Sequence, residues 1–331
     1  MNIARSPALF AMLAMLHASD VLAQRSAPRD YPIIDMHLHA MRANSFGPPP
    51  QPICMGQMTL LGWDPAQSLN PGTLTACNQP VPSAETDDQL MRRTLAILER
   101  ENIIGVTSGP GLRDWRAAAP ERLIPGLLTA FGNLTPDSLR ALLRSGEVRV
   151  LGEITTQYRG LSPAAPELDA YWSVAEEFDV PVGIHMGSGP PGIPMIGART
   201  YRAASGRPLH LEEVLSRHPR LRVYVMHAGY PYIDELISLL LLYPQVYVDV
   251  GVIGWATPRP AFHQYLMRLV EAGLAQRVMF GSDQMVWPEA IEVTIQAIET
   301  AEFLTPTQKR DIYYENARRF LRLDATVGAA K

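Results

Sequence analysis

The sequence contains little cysteine, no excess of charge of one sign, and no apolar run long enough to anchor it in a membrane. Acidic and basic residues are mixed along the 331-residue chain, whose formal net charge is -4. Such a chain offers no basic patch for nucleic acid. No segment reaches the roughly 18 consecutive apolar residues that a transmembrane helix needs. The composition therefore argues against a nucleic-acid-binding or membrane-anchored protein.

The first 23 residues have the features of an export signal. Arg5 lies in the head, residues 8–16 form an apolar core, and residues 21–23 provide a small-residue exit. The apolar core is too short to act as a membrane anchor. We therefore expect a signal peptide at 1–23, a mature chain of residues 24–331, and a periplasmic or secreted location.

Only two cysteines, Cys54 and Cys77, are present, and both lie in one irregular segment. If the protein is exported, a disulfide between them is expected, because the compartment permits it and the segment has little core to stabilise it. Two unpaired thiols are the alternative.

Short runs rich in β-branched residues alternate with helical patterns, in which apolar residues recur every three or four positions. The candidate strands are residues 33–40, 103–109, 123–131, 148–155, 180–187, 221–229, 246–252 and 277–284. Single helices between successive strands require parallel pairing with crossovers. The sequence therefore predicts an α/β fold, a (β/α)8 TIM barrel, forming one domain over residues 24–331.

Two connections are too long to be simple turns. Residues 41–84 and 187–208 are rich in Gly and Pro and follow the first and fifth strands. Long structureless loops in a compact domain are usually functional lids or else disordered. In a barrel both would lie at the carboxyl-terminal face, where active sites are built.

The first strand carries two histidines, His37 and His39. Residues two apart on a strand point to the same side, so both can face the barrel interior, with Asp35 one layer below. Taken alone, they could be core histidines satisfied by hydrogen bonds or ligands of a divalent metal. Four further residues of metal-binding type lie near the ends of strands 4, 5, 6 and 8: Glu153, His185, His227 and Asp283. This convergence on one rim favours a metal site.

The motifs HLH, GE, IHMG, MHAG and GSD, followed by ENARRFL, resemble the amidohydrolase superfamily, and most closely its amidohydrolase-related branch, which includes decarboxylases and lactone hydrolases. The resemblance implies that His37, His39, His185 and Asp283 ligate a zinc-like ion and that His227 acts on water or substrate. Nitrogen and oxygen ligands with one open position are typical of a catalytic zinc site. Asp283 could then accept a proton from the water that the ion activates.

Glu153 departs from that pattern. In decarboxylase-like relatives a carboxylate on this strand is not part of the core set, whereas in deoxyribonuclease-like relatives it bridges two metals. With a bridge, His37, His39 and Asp283 would hold one ion, and His185 and His227 a second. We expect one ion, Zn²⁺ or another divalent metal such as Mn²⁺, with Glu153 in or next to its ligand set. Two ions, or an ion pair between Glu153 and Arg159 or another basic residue at the barrel rim, are the alternatives.

The sequence thus predicts a metal-dependent hydrolase that acts on a small ester, lactone or amide through a metal-activated water. The alternatives are a decarboxylase of an aromatic or muconate-type acid and a barrel that only binds a ligand. The expected partner is a small-molecule substrate, and a homo-oligomer is compatible with the sequence. Asp249 either lines the pocket or is structural. Further candidates for substrate contact are Arg159, Arg199, Arg202, Trp255 and Trp287.

Overall fold

The computed structural model describes residues 29–57, 59–70, 72 and 74–324. The strands in this part of the chain are β1 (Ile33–His39), β2 (Pro52–Ile53), β3 (Thr59–Leu60), β4 (Thr75–Ala76), β5 (Val81–Pro82), β6 (Ile103–Ser108), β7 (Leu123–Thr129), β8 (Val150–Ile154), β9 (Val182–His185), β10 (Val223–Met226), β11 (Tyr247–Asp249) and β12 (Val278–Met279). The predicted export signal, residues 1–23, lies outside the described residues.

Eight of these strands form one parallel sheet in the order β1-β6-β7-β8-β9-β10-β11-β12. Backbone hydrogen bonds join its two edges, from Met36 N to Phe280 O (2.9 Å) and from Asp283 N to His37 O (2.6 Å). Each barrel strand falls within one of the eight predicted runs. The predicted (β/α)8 barrel is therefore confirmed.

Helices connect the strands: α1 (Asp87–Arg100), α2 (Leu112–Ala118), α3 (Pro136–Ser145), α4 (Asp169–Glu177), α5 (Ile193–Ile196), α6 (Leu211–Arg217), α7 (Ile233–Leu242), α8 (Ile253–Ala256), α9 (Arg259–Glu271), α10 (Ala290–Glu299), α11 (Pro306–Arg310) and α12 (Asn316–Leu321). Local chemistry sets several ends. The Thr135 side chain caps α3 by accepting from Ser138 N, and Gly146 ends it in the left-handed region. Among the described residues, no helix combines the length and apolarity needed to cross a membrane.

Two layers of apolar side chains stabilise the barrel, one in its interior and one between the strands and the helices. Interior side chains such as Ile34 and Met36 pack with Tyr224 and Phe320, whereas Leu38 packs in the outer layer between strands and helices. The register of β1 against β6 shifts between Asp35 and Leu38, and this irregularity changes which side chains face inward. Asp35, expected in the interior below the histidines, accepts hydrogen bonds from the backbone nitrogens of His37 (2.9 Å) and Ser282 (3.0 Å).

The segment 41–84 contains more structure than predicted. It includes two small antiparallel ladders, one between β2 and β5 and one between β3 and β4. A disulfide joins Cys54 to Cys77, with 5.7 Å between their Cα atoms. The disulfide expected from the sequence is therefore confirmed. In a segment with few apolar residues, this cross-link restricts the unfolded chain. The second long connection, residues 187–208, holds only the short helix α5 and two 3₁₀ turns.

Candidate metal centre

Six side chains from the ends of five barrel strands meet at the carboxyl-terminal face. They are His37 and His39 of β1, Glu153 of β8, His185 at the end of β9, His227 directly after β10, and Asp283 after β12. Each is at most 7% exposed. Buried imidazoles and carboxylates need hydrogen-bond, ionic or metal partners, so the contacts among these six side chains determine what the centre can bind.

His37 and His39 form one pair. Their Nε2 atoms lie 3.1 Å apart. Asp283 Oδ1 is 3.6 Å from His37 Nε2 and 3.2 Å from His39 Nε2, and Glu153 Oε2 is 3.8 and 3.5 Å from the same two atoms. Two nitrogens and two carboxylate oxygens therefore converge on one position.

His185 and His227 form the second pair, with His185 Nδ1 and His227 Nε2 2.9 Å apart. The other oxygen of Glu153, Oε1, lies 2.5 Å from His185 Nδ1 and 3.2 Å from His227 Nε2. Glu153 thus stands between the pairs and turns one oxygen toward each. The Glu153 contacts are histidines, whereas Arg159 donates to the carbonyl of Ala130, so the ion pair considered from the sequence does not form.

Each imidazole turns one nitrogen toward the centre, and the other, here called the outer nitrogen, faces a fixed partner. His37 Nδ1 lies 3.2 Å from Asp249 Oδ2, and His227 Nδ1 lies 3.1 Å from Gly251 O. A carboxylate and a carbonyl only accept hydrogen bonds, so both outer nitrogens carry a proton, and Nε2 presents a lone pair inward whenever the ring is neutral. The remaining contacts are His39 Nδ1 with Ser108 Oγ at 3.3 Å and His185 Nε2 with the Tyr201 hydroxyl at 3.1 Å.

Asp249 supports two of the histidines at once. Its Oδ1 accepts from the backbone nitrogens of His227 (3.0 Å) and Gly251 (2.8 Å), and its Oδ2 faces His37. Burial raises the pKa of Asp249, but the charge and hydrogen bond of His37 outweigh burial and lower it below the ordinary value. The carboxylate therefore stays ionised and orients the ring of His37.

The centre concentrates opposite charges. Burial raises the pKa of Glu153, but His185 and its neighbours lower it well below the ordinary value. Burial lowers the pKa of His37, but Asp283 and Asp249 raise it well above its usual range. The pKa of His227 is also raised, because the Glu153 hydrogen bond outweighs burial. Without a metal, protons therefore balance the carboxylates, and a divalent cation can replace those protons.

Two of the six residues have unusual backbone conformations. His227 and Asp283 have φ values of 58° and 49°, which non-glycine residues rarely adopt. Such conformations persist where the surrounding structure holds them, often at functional sites. Here Asp249 Oδ1 binds the nitrogen of His227, and the His37 carbonyl binds the nitrogen of Asp283.

Several contributors were not identified from the sequence. Gln284 Oε1 accepts from the backbone nitrogen of His39 (3.0 Å), so it ties the end of the last strand to the first. Ser108 and Tyr201 bind the outer nitrogens described above. Ser108 ends β6 and Gln284 directly follows Asp283, and this proximity to strand ends is the signal that could have found them. Tyr201 lies in a long loop and carries no such signal.

The two tryptophans considered for substrate contact are buried and bonded to backbone. Trp255 Nε1 donates to Ser282 O, and Trp287 Nε1 donates to Gln51 O, each at 2.8 Å. Both fix loops around the centre. Arg159, Arg199 and Arg202 are exposed, and Arg202 donates to the carbonyls of Arg199 and Tyr201.

Comparisons with solved structures show similar barrels. A probable 2-pyrone-4,6-dicarboxylic acid hydrolase from Acinetobacter baumannii, with citric acid bound, is 16% identical with a TM-score of 0.55, over 88% of this chain and 99% of that chain. A dihydroxybenzoic acid decarboxylase from Polaromonas sp. JS666, with bound manganese and the inhibitor 2-nitroresorcinol, is 14% identical with a TM-score of 0.51, over 71% and 87%. At these identities the likeness shows the fold.

Comparisons of sequence define the family. Protein fluG of Emericella nidulans is 27% identical over 94 residues, which make up 28% of this chain and only 11% of that protein. The family model Amidohydro_2, described as amidohydrolase, matches residues 34–323, which include all six residues of the centre. The chain therefore belongs to the amidohydrolase family.

Proposed function

We propose that this protein is a metal-dependent hydrolase that acts on a small ester, lactone or amide. The observation that carries the proposal is the arrangement of four buried imidazoles around Glu153 and Asp283, each with its outer nitrogen against a fixed partner. Histidines oriented in this way are typical of metal ligands. Their place at the carboxyl-terminal face of the barrel also suits an active site.

The donor set supports two ion positions, the alternative that the sequence left open beside the expected single ion. His37, His39, Asp283 Oδ1 and Glu153 Oε2 would hold one ion, and His185, His227 and Glu153 Oε1 a second. The facing nitrogens of the two pairs lie 3.1 and 2.9 Å apart, so each pair must share either a proton or a metal cation. Zinc and manganese both accept this set of nitrogen and oxygen ligands.

A divalent ion at this centre would act as a Lewis acid and make a water reactive near neutral pH. Asp283 is the residue proposed to take the proton. Its Oδ1 lies 3.2 Å from His39 Nε2, and its Oδ2 lies 3.8 Å from His227 Nδ1. The carboxylate can therefore keep one oxygen at the ligand position and use the other for proton transfer.

The second candidate is a decarboxylase of an aromatic or muconate-type acid. It rests on the manganese-containing decarboxylase among the structures with a similar barrel. Hydrolysis is preferred because the disulfide between Cys54 and Cys77 supports export to the periplasm or beyond, away from intracellular catabolic pathways. The export signal proposed for residues 1–23 remains part of this proposal.

The test is a substrate panel on protein reconstituted with Zn²⁺ or Mn²⁺. Esters, lactones and amides would be followed by acid release, and aromatic and muconate-type acids by CO₂ release. We expect hydrolysis by the wild type and none by the double variant His37→Ala/His39→Ala. The control is His263→Ala, which removes a histidine that lies outside the centre and contacts the Ala297 carbonyl. CO₂ release without hydrolysis would support the decarboxylase instead.

A further inference from the structure

Tyr201 links a long loop to one histidine of the centre. It lies in the 187–208 connection and is 1% exposed. Its hydroxyl is 3.1 Å from His185 Nε2 and donates to Gly187 O at 3.4 Å. Because that carbonyl only accepts, a hydroxyl proton directed to it leaves the oxygen free to accept from His185 Nε2–H. In that arrangement His185 Nδ1 carries no proton and can offer a lone pair toward Glu153 and His227.

The ring of Tyr201 is held in place by the neighbouring loop. Tyr158, which follows β8, packs edge-on against Tyr201 with ring centroids 5.0 Å apart. Thr200 Oγ1 donates to Tyr158 O at 3.0 Å, which joins the two loops next to that contact. Position 189 must be small, because a Cβ on Gly189 would lie 2.6 Å from Tyr201 Cζ. Packing and hydrogen bonding together thus specify one position for the hydroxyl.

His185 differs from the other three imidazoles in where its outer partner comes from. Ser108 and Asp249 end barrel strands, and Gly251 lies two residues after β11, so these three partners are part of the barrel rim. The partner of His185 comes instead from residue 201, sixteen residues further along the chain in a loop with little regular structure. The orientation of His185 therefore depends on the conformation of that loop.

We propose that Tyr201 is a positioning residue that fixes the tautomer of His185 and couples ion binding at the His185–His227 pair to the ordering of the 187–208 loop. The proposal rests on the proposed metal-dependent function. Because coupling is reciprocal, a bound ion must stabilise the loop as much as the ordered loop strengthens ion binding. Opening of the loop would weaken the second ion position while leaving the His37–His39 pair unchanged.

The test compares Tyr201→Phe with Tyr171→Phe, which removes a hydroxyl that donates to the Leu134 carbonyl outside the centre. Zn²⁺ affinity would be measured by chelator competition, and the ligand field by the visible spectrum of the Co²⁺-substituted protein. We expect Tyr201→Phe to weaken one Zn²⁺ equivalent about 10–100-fold, the usual scale for partners of ligand histidines. Its Co²⁺ spectrum should change, whereas Tyr171→Phe should match the wild type.

A second measurement tests the loop. Arg199 and Arg202 are exposed trypsin sites within it, and Zn²⁺ should slow their cleavage in the wild type but not in Tyr201→Phe. Wild-type Zn²⁺ affinity, spectrum and protection in Tyr201→Phe would overturn this inference and leave the proposed function intact. Absence of Zn²⁺ binding by the wild type would overturn the proposed function, and this inference with it.

Discussion

Replacement of Asp249 by Asn should impair ion binding without removing any proposed ligand. Asp249 is fully buried; its Oδ1 accepts from two backbone N–H groups, and its Oδ2 lies 3.2 Å from His37 Nδ1. An amide has one acceptor and one donor end, so in either orientation its NH₂ group faces a donor. The backbone N–H groups can only donate. His37 can change from donor to acceptor at Nδ1, by moving its proton from Nδ1 to Nε2.

That move places a proton on the nitrogen that faces the centre. His37 must then bind an ion through the less favourable tautomer, and we expect the affinity of the His37–His39 position to fall 10–100-fold, or about 1.4–2.7 kcal/mol. The assay is chelator competition with Zn²⁺ at pH 7.5. Asp35→Asn is the matched control, because Asp35 bonds the backbone nitrogen of His37 and not its ring. Equal affinities of Asp249→Asn and wild type would refute the proposed orientation of His37.

Three further changes probe proton transfer, buried charge and the disulfide. Asp283→Asn should keep bound Zn²⁺ but lose turnover by about 10²; near-normal turnover would pass the proton-transfer role to His227. Burial raises the pKa of Asp35 from an ordinary 3.8 to about 6, so ionisation destabilises the folded state as pH rises through that window. Asp35→Asn should therefore stabilise the metal-free protein by up to about 3 kcal/mol at pH 7 and little at pH 4 in urea unfolding; equal effects at both pH values would contradict this. Replacing Cys54 and Cys77 by Ser should lower the unfolding free energy by about 3 kcal/mol, and two titratable thiols in secreted wild-type protein would exclude the bond.

The barrel and the members of its centre were predictable from the sequence for a simple geometric reason. Parallel strands end at one face, so a polar residue at the end of each strand is brought to the same rim whatever the helices between them do. His37, His185 and Asp283 could therefore be grouped without knowledge of side-chain conformations.

The finer arrangement depends on features that carry no local pattern. The shift of β1 against β6 lies between Asp35 and Leu38, where strict alternation would have placed Asp35 in the interior. The two oxygens of Glu153 face different histidine pairs, and this depends on a side-chain orientation that the sequence does not encode locally. Tyr201 reaches His185 through loop packing. The ladders in 41–84 contain only two residues per strand, too few to give a periodic signal.

The metal content of the purified protein is the most direct test of the central claim, that the six buried residues bind divalent ions. Protein would be stripped with a chelator, reconstituted with excess Zn²⁺, passed through gel filtration and analysed for zinc, beside His37→Ala/His39→Ala and the control His263→Ala. We predict close to two equivalents in the wild type and in His263→Ala, and a loss of at least one in the double variant. One equivalent in the wild type would restore the single-ion alternative, and wild-type protein without stoichiometric zinc would contradict the account.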